Sequence, residues 1–221
     1  YLYEINNGRD PYPEGKRVVV VGGGNVAMDC VRSSFRIGKE DVHLVYRRTR
    51  AEMPANKVEI EEAEEEGVEF HFLCNPTKII AENGKVVAVE LIRMELGEPD
   101  ETGRRRPIPV PGSEFILETD IVVPAIGQAI LVDFLKGFEG VKAGRGNRIV
   151  VDPYTFETDV KGVFAAGDCV TGPNVLVRAA GAGRRAAEKI DQYLRGIGPV
   201  PTDEDRFDYI FGELGVFKKD E

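Results

Sequence analysis

The chain has 221 residues, 42% of them hydrophobic, and a formal net charge of −9. Such a length and composition suit one large or two small globular domains with a real core, and exclude a chain disordered throughout. The acidic balance excludes a general nucleic-acid binder, which needs accumulated positive surface, and no apolar run approaches the roughly 20 residues required to cross a bilayer.

The opening "YLYEINNGRDPYPEGK" is polar and rich in turn residues. It has no cleavable signal pattern, and residues 1–15 read as a linker. "RVVVVG" is then a fully apolar, β-branched run, the signature of a strand buried on both faces in a parallel sheet. "NVAMDCVRSSFRIG" follows as a helix with Val26, Ala27, Cys30, Val31 and Phe35 on its inner face and Gly38 at its end. "DVHLVYRR" is a second strand, and "NKVEIEEAEEEG" a second helix with Val58, Ile60 and Ala63 inward and a solvated acidic face. "VEFHFLCN" is a third strand. Strand, helix, strand, helix, strand is the mononucleotide-binding half of a doubly wound fold, which binds ligands at the carboxyl edge of its sheet.

From Pro76 the pattern changes. Asn83-Gly84 between two β-rich runs is a hairpin signal. "GEPDETGRRRPIPVPGSE" reads as a long polar loop, with an arginine run at 104–106, and "FILETDIVVPAIG" returns as strand material. Together these form an antiparallel meander laid on the parallel core. After a less regular stretch, Val163–Ala166 reads as a strand ending in Gly167-Asp168, followed by a long helix from about Asn174. The tail "VPTDEDRFDYIFGELGVFKKDE" is acidic with spaced aromatics, and is expected to dock as a short helix.

The chemistry concentrates at the first loop. Gly22, Gly23, Gly24, Asn25, Val26 and Ala27 fit G-x-G-x-x-A directly between strand and helix. Gly22 permits the tight turn, Gly24 lets the backbone approach a pyrophosphate, and Ala27 allows close helix–strand packing. The pyrophosphate is then held by free N–H groups at the helix N-terminus. An NAD or FAD site carries a carboxylate at the end of the second strand to hold the ribose hydroxyls. Here Arg47 and Arg48 take that place and Arg50 follows. Guanidinium groups pair with a 2′-phosphate, so the loop is expected to bind NADP(H). Asp168, at a strand end beside a glycine, can accept hydrogen bonds from a polyol.

Cys30, Cys74 and Cys169 are far apart, with no Cys-x-x-Cys pair. They read as small buried hydrophobes in a reducing cytoplasm, and exclude an ordinary iron–sulfur cluster, a structural zinc site or a dithiol redox pair. His43 and His71 lie in strands with no Cys, Asp or Glu cluster near in sequence, and are read as structural. The run "EIEEAEEE" could suggest a metal site, but its helical spacing makes it a solvated face, and no catalytic side chain is expected, because hydride transfer needs positioning rather than a protein acid or base.

The segments "GKRVVVVGGGNVAMD", "YRRTRAEMPA", "RPIPVPGSE", "DIVVPAIGQ", "GVFAAGDC" and "AAGAGRRAA" closely resemble the NADPH-dependent glutamate synthase small-subunit family, over most of residues 14 to 195 and in the same order. Similar flavoproteins are the N-terminal part of dihydropyrimidine dehydrogenase and the large subunit of the NADH-dependent ferredoxin:NADP oxidoreductase. The resemblance implies that Arg47, Arg48 and Arg50 hold the 2′-phosphate of NADPH. It implies that Gly167 and Asp168 touch the FAD ribitol and pyrophosphate, and that the helix from Asn174 and Val175 points at the flavin ring. Ala125, Ile126 and Gly127 match the crossover where nicotinamide approaches flavin.

Those relatives also carry an N-terminal iron–sulfur domain and a first glycine loop for the ADP half of FAD, which this sequence lacks. The expectation is therefore α/β: an NADP(H)-binding Rossmann-like domain over 16–128, the C-terminal part of an FAD-binding domain over 129–198, and a tail over 199–221. Either an excised piece of a longer protein or a split subunit fits. The missing FAD and iron–sulfur portion would come from elsewhere, FAD would not be held tightly by this chain alone, and the apolar surface of 150–195 would be exposed or covered by another chain or copy. Three roles follow: an NADPH-to-FAD module of the glutamate synthase type, a related flavoprotein of the ferredoxin:NADP or dihydropyrimidine dehydrogenase kind, or a catalytically silent nucleotide-binding or assembly subunit.

Overall fold

A computed structural model describes residues 1–99, 103, 105–137 and 139–200. The chain divides into two compact units, Tyr1–Ile126 and Gly127–Glu221, against an expected boundary after residue 128. The expected docking helix of the tail lies outside the described residues from 201 onward, as does Arg104.

In the first unit β1 (Arg17–Val21) is central. It pairs in parallel with β2 (Asp41–Tyr46) on one side and with β8 (Ile121–Pro124) on the other, and β3 (Glu69–Phe72) extends the sheet beyond β2. All four valines of β1 are buried. Val18 and Val20 face a cluster formed with α2 (Asn25–Arg36) and α3 (Lys57–Glu65), whereas Val19 and Val21 face Cys74, Val89 and Leu91 of the meander. A strand covered on both faces must read as a continuous apolar run, and this one does.

The helices differ in detail from expectation. In α2 the buried set is Ala27, Met28, Cys30, Val31 and Ser34, while Val26 is 57% exposed and Phe35 only partly covered. In α3 Ile60 and Ala63 are buried, but Val58 is 56% exposed. Two residues are about 200° apart around a helix, so Val58 and Ile60 cannot share a face. The acidic side of α3 is partly paired: Arg32 of α2 meets Glu62 at 2.6 Å and Glu66 at 2.8 Å.

The run 68–75 is two strands rather than one. Leu73, with a left-handed φ of 53°, separates β3 of the parallel sheet from β4 (Cys74–Glu82) of the meander. β4 pairs with β5 (Lys85–Pro99) through the Asn83-Gly84 turn, whose φ values of 49° and 77° suit a two-residue hairpin. β5 also pairs with β6 (Arg105–Pro109) and β7 (Phe115–Glu118). Much of the expected polar loop is thus strand, and Arg105 donates to the Leu96 and Gly97 carbonyls.

Residues 1–15 are not a free linker. They carry α1 (Leu2–Asn6), and Tyr1 and Leu2 pack on the core. Lys39, its side chain 2% exposed, donates to Asp10 Oδ2 at 2.7 Å, the Tyr12 carbonyl at 2.7 Å and the Gly15 carbonyl at 2.9 Å. All three ammonium protons are satisfied, so the segment is clamped to the domain.

In the second unit the expected strand Val163–Ala166 is only an isolated bridge, Glu157 to Phe164. Among the described residues a single bridge is the ladder it makes, too little to define a strand. α4 (Asp168–Thr171) follows at once, and α5 (Leu176–Leu194) begins two residues later than expected. Among the described residues of this unit, Ile149, Ala182 and Ala186 are the buried apolar side chains, and Phe164 meets Tyr193 edge-on at 5.7 Å.

The clamps of the first unit give two predictions. Lys39→Met leaves a carboxylate and two carbonyls without their donor and should cost about 3 kcal/mol in denaturant unfolding, with earlier proteolytic cleavage within residues 1–15. Asp120 accepts from the Lys16 and Arg17 backbone N–H groups and from the Arg17 guanidinium. The Arg17 guanidinium is the main cause that holds its carboxyl at about 2 against an ordinary 3.8. A depressed carboxylate stabilises the fold above its unfolded value and loses that contribution on acidification. Wild type should therefore lose stability between about pH 4 and pH 2 relative to Asp120→Asn, measured by urea unfolding across that range.

Candidate functional site

The carboxyl edge of the parallel sheet is where the chain changes direction: β1 leads through α2 to β2 on one side, and β8 lies on the other. This is a topological switch point, and the glycine loop occupies it. Gly22 donates to the Val45 carbonyl at 3.0 Å, and the Ala125 N–H to the Val21 carbonyl at 2.8 Å. Three strand ends therefore meet at one place, and Gly22–Ala27, Arg47 and Ala125–Ile126 share that edge.

The glycines are required for different reasons. Gly22 has φ of 149°, and a Cβ there would lie 2.3 Å from the Ala125 carbonyl oxygen. At Gly23 a Cβ would stand 2.6 Å from the Tyr46 ring. At Gly24 the nearest neighbour of a Cβ would be Pro54 Cγ at 3.9 Å, so the fold itself leaves that space open. Gly24 caps α2 without a side-chain bond, and its carbonyl accepts from Ala27 and Met28. The N–H groups of Gly23, Gly24, Asn25 and Val26 have no acceptor among the described residues, as a helix start poised for an anion requires.

The segment after β2 folds back over this loop. Thr49 and Glu52 form a capping box around a single 3-10 turn, Arg50–Glu52. Tyr46 Oη donates to the Glu52 carbonyl at 2.8 Å, Ala55 N–H to the Gly23 carbonyl at 3.1 Å, and Asn56 N–H to Asn25 Oδ1 at 2.9 Å. Asn25, expected as a ligand-facing residue, thus also ties the glycine loop to the start of α3.

The three arginines are not equivalent. Arg48 Nε donates to the Arg105 carbonyl at 2.9 Å, and Arg50 is ion-paired with Glu64. Arg47 is exposed, and its guanidinium makes no hydrogen bond or ion pair among the described residues. Glu52 was not foreseen as part of this loop. The Thr49 hydroxyl, foremost, holds its carboxyl below the usual range, with Arg105 and Arg48 adding to the effect. Between this loop and α3 lies an open groove of about 620 Å³, lined by Arg50 and Lys57 together with Met53 and Ile60.

In the second unit Gly167 has φ of 76° and initiates α4, placing Asp168 on the surface. Asn174 precedes α5 and accepts from the Val175 N–H at 2.8 Å, while Val175 is the N-cap of α5. Gly127, φ 95°, opens this unit.

Of the cysteines, Cys30 and Cys74 are buried and Cys169 is partly covered. Burial pushes the Cys30 thiol up to about 11, as expected of an inert core residue. The two histidines meet across neighbouring strands. His43 and His71 stand 3.0 Å apart, and Asp41 and Glu69 lie beside them. The strand register brings the Asp41–His43 segment of β2 beside the Glu69–His71 segment of β3.

A family description, pyridine nucleotide-disulphide oxidoreductase, matches residues 3–183. The chain belongs to that family. The beta subunit of the NADP(+)-dependent formate dehydrogenase of Moorella thermoacetica is 53% identical over the whole of this chain, which spans 31% of that protein. The glutamate synthase [NADPH] small chain of Escherichia coli is 43% identical over 82% of this chain, corresponding to 39% of its own length. Thioredoxin reductase of T. acidophilum superposes with a TM-score of 0.65 at 28% identity, covering 83% of this chain and 53% of that one. The chain therefore spans about a third of the length of these curated relatives, both of which are named as one part of a larger assembly.

The glycines yield a paired prediction. Gly22→Ala should fail to fold stably, because a methyl group meets backbone. Gly24→Ala should keep stability within about 1 kcal/mol of wild type by thermal unfolding, while weakening NADPH binding at least tenfold in a calorimetric titration.

Proposed function

We propose that the chain is the NADP(H)-binding module of an FAD-dependent oxidoreductase of the glutamate synthase small-subunit type. The observation that carries this reading is a glycine loop with four unpaired N–H groups, set at the same sheet edge as an unpaired Arg47. The open space at Gly24 fits a pyrophosphate approaching the backbone, and the N-terminus of α2 favours its charge. Arg47 binds the 2′-phosphate, with Arg48 and Arg50 forming the positive surroundings and holding the loop in place through their own bonds. β2 ends in Tyr46, followed by Arg47 rather than by a carboxylate, and the one acid of the loop, Glu52, is turned back onto Thr49. Nothing acidic then replaces the 2′-phosphate as a partner for Arg47.

When bound, a nicotinamide cofactor supplies or accepts a hydride. The protein's part is to position: Ala125, Ile126 and Gly127 follow β8 at the edge where the nicotinamide half extends, and no side chain acts as acid or base. In the second unit Gly167 and Asp168 are the flavin-facing residues, Asp168 offering a free carboxylate to a polyol. Asn174, Val175 and the start of α5 lie toward the flavin ring. Leu176, 84% exposed, and Val177 form an apolar surface for the missing portion of the flavin site, whether on the same longer protein or another subunit. Among the described residues one glycine loop of the strand–helix type is present, so FAD is held tightly only in the complete assembly, and electrons pass on through iron–sulfur clusters held there. Free cysteines fit a cytoplasmic location.

The deciding experiment is calorimetric titration of the purified chain with NADPH and NADH, beside an Arg47→Ala variant. NADPH should bind at least tenfold tighter, a difference of about 1.4 kcal/mol, and the substitution should erase the gap while leaving NADH unchanged. Equal affinity of the wild type for both nucleotides, or a preference that survives in the variant, overturns the assignment.

A further inference from the structure

On β2 and β3 the register places His43 opposite Glu69 and His71 opposite Val45. His43 Nδ1 lies 3.0 Å from His71 Nε2, Glu69 Oε2 3.6 Å from His43 Nδ1, and Glu69 Oε1 3.5 Å from His71 Nε2. Ligand atoms around a tetrahedral zinc ion, with bonds of about 2.0–2.1 Å, are separated by about 3.3 Å. The closest approaches among the two imidazoles and the two Glu69 oxygens are near that spacing, and one donor atom from each residue lies within 4.8 Å of the others.

The protons point the same way. His43 Nε2 lies 3.0 Å from Asp41 Oδ1, which makes it the protonated nitrogen and leaves Nδ1 as a lone pair. A carboxylate oxygen of Glu69 faces that lone pair with no proton to share, and His71 Nε2 completes the triangle. One ring proton can satisfy one edge only; a cation satisfies all three. A histidine whose second nitrogen is held by a carboxylate is also the usual support of a metal-bound imidazole.

The site is accessible. The His43 side chain is buried and that of His71 largely so, but Glu69 is 66% exposed, so an ion can enter and keep water as a fourth ligand. The carboxylates of Glu69 and Asp41 together balance a divalent charge. Arg93, a cation near His71, lies over the Phe115 ring at 5.0 Å.

From this geometry we infer that His43, His71 and Glu69 bind a divalent first-row transition metal, zinc by donor type, with Asp41 orienting His43. The absence of clustered cysteines does not bear on such a site, because its donors are nitrogen and oxygen. The ion would staple β3 to β2, and does not depend on the proposed function.

The test is competition titration of the metal-free purified chain with Zn²⁺ against a chromophoric chelator, together with the visible spectrum of the Co²⁺-loaded chain. One equivalent of Zn²⁺ should bind, and Co²⁺ should give the intense bands of four-coordinate geometry. His71→Ala should lower zinc affinity at least a hundredfold and Asp41→Asn at least tenfold. Glu69→Gln, on an exposed side chain that the fold tolerates, should lower it tenfold or more, with NADPH binding unmoved. No stoichiometric Zn²⁺ binding, or an affinity indifferent to both His71→Ala and Glu69→Gln, overturns the inference and leaves a hydrogen-bonded histidine pair.

Discussion

The edge that carries the glycine loop depends on how closely β1 and β8 approach at their carboxyl ends. Val21 pairs with Pro124, and Gly22 sits so near the Ala125 carbonyl that no side chain fits between them. That contact fixes where the chain turns out of β1, and hence where α2 begins and where its free N–H groups point. It can be held only because β1 is buried on both faces, by the helices against Val18 and Val20 and by the meander against Val19 and Val21. The meander is thus a structural necessity for the first unit. It covers a sheet face that would otherwise be apolar and wet.

A second level of control lies in the loop after β2. The backbone bond from Ala55 to Gly23 and the bond from the Asn56 N–H to the Asn25 side chain couple the glycine loop to the start of α3. Glu52, the Thr49 cap and the Arg50–Glu64 pair shape the same loop from the other side. The three positive charges therefore serve different ends, since Arg48 and Arg50 build the loop and Arg47 remains free.

The sequence states the parallel core, the glycine loop and the Asn83-Gly84 hairpin openly, because each depends on neighbours within a few residues. What it conceals depends on tertiary partners. Val26 and Val58 are apolar and fall near a helical rhythm, yet the face chosen by Ala27, Val31 and Ser34, or by Ile60 and Ala63, turns them outward. The apolar alternation of 68–75 runs through Leu73 without a break, and only its left-handed backbone shows where one sheet ends and the other begins. The segment 1–15 has the composition of a linker, but a lysine at position 39 gathers it in. Asp41 and His43 on one strand meet Glu69 and His71 on the next only through strand register, which no local window contains. In the second unit, the glycine before Asp168 was readable whereas the strand leading to it was not, since pairing and not propensity makes a strand.

The pairing of β1 with β8 joins residues separated by about a hundred positions, Val18 with Ile121 and Val21 with Pro124. Contacts so distant along the chain pay a large loop-closure entropy before they gain anything, and topologies rich in them fold slowly. During synthesis the glycine loop cannot take its final shape until β8 has emerged, after the whole meander has been made. The β4–β5 hairpin can form early and alone, whereas the glycine-loop edge is among the last parts of the first unit to assemble. The glycine loop therefore takes its final shape late, and the proposed binding of a nucleotide there would report that the whole first unit, meander included, is in place.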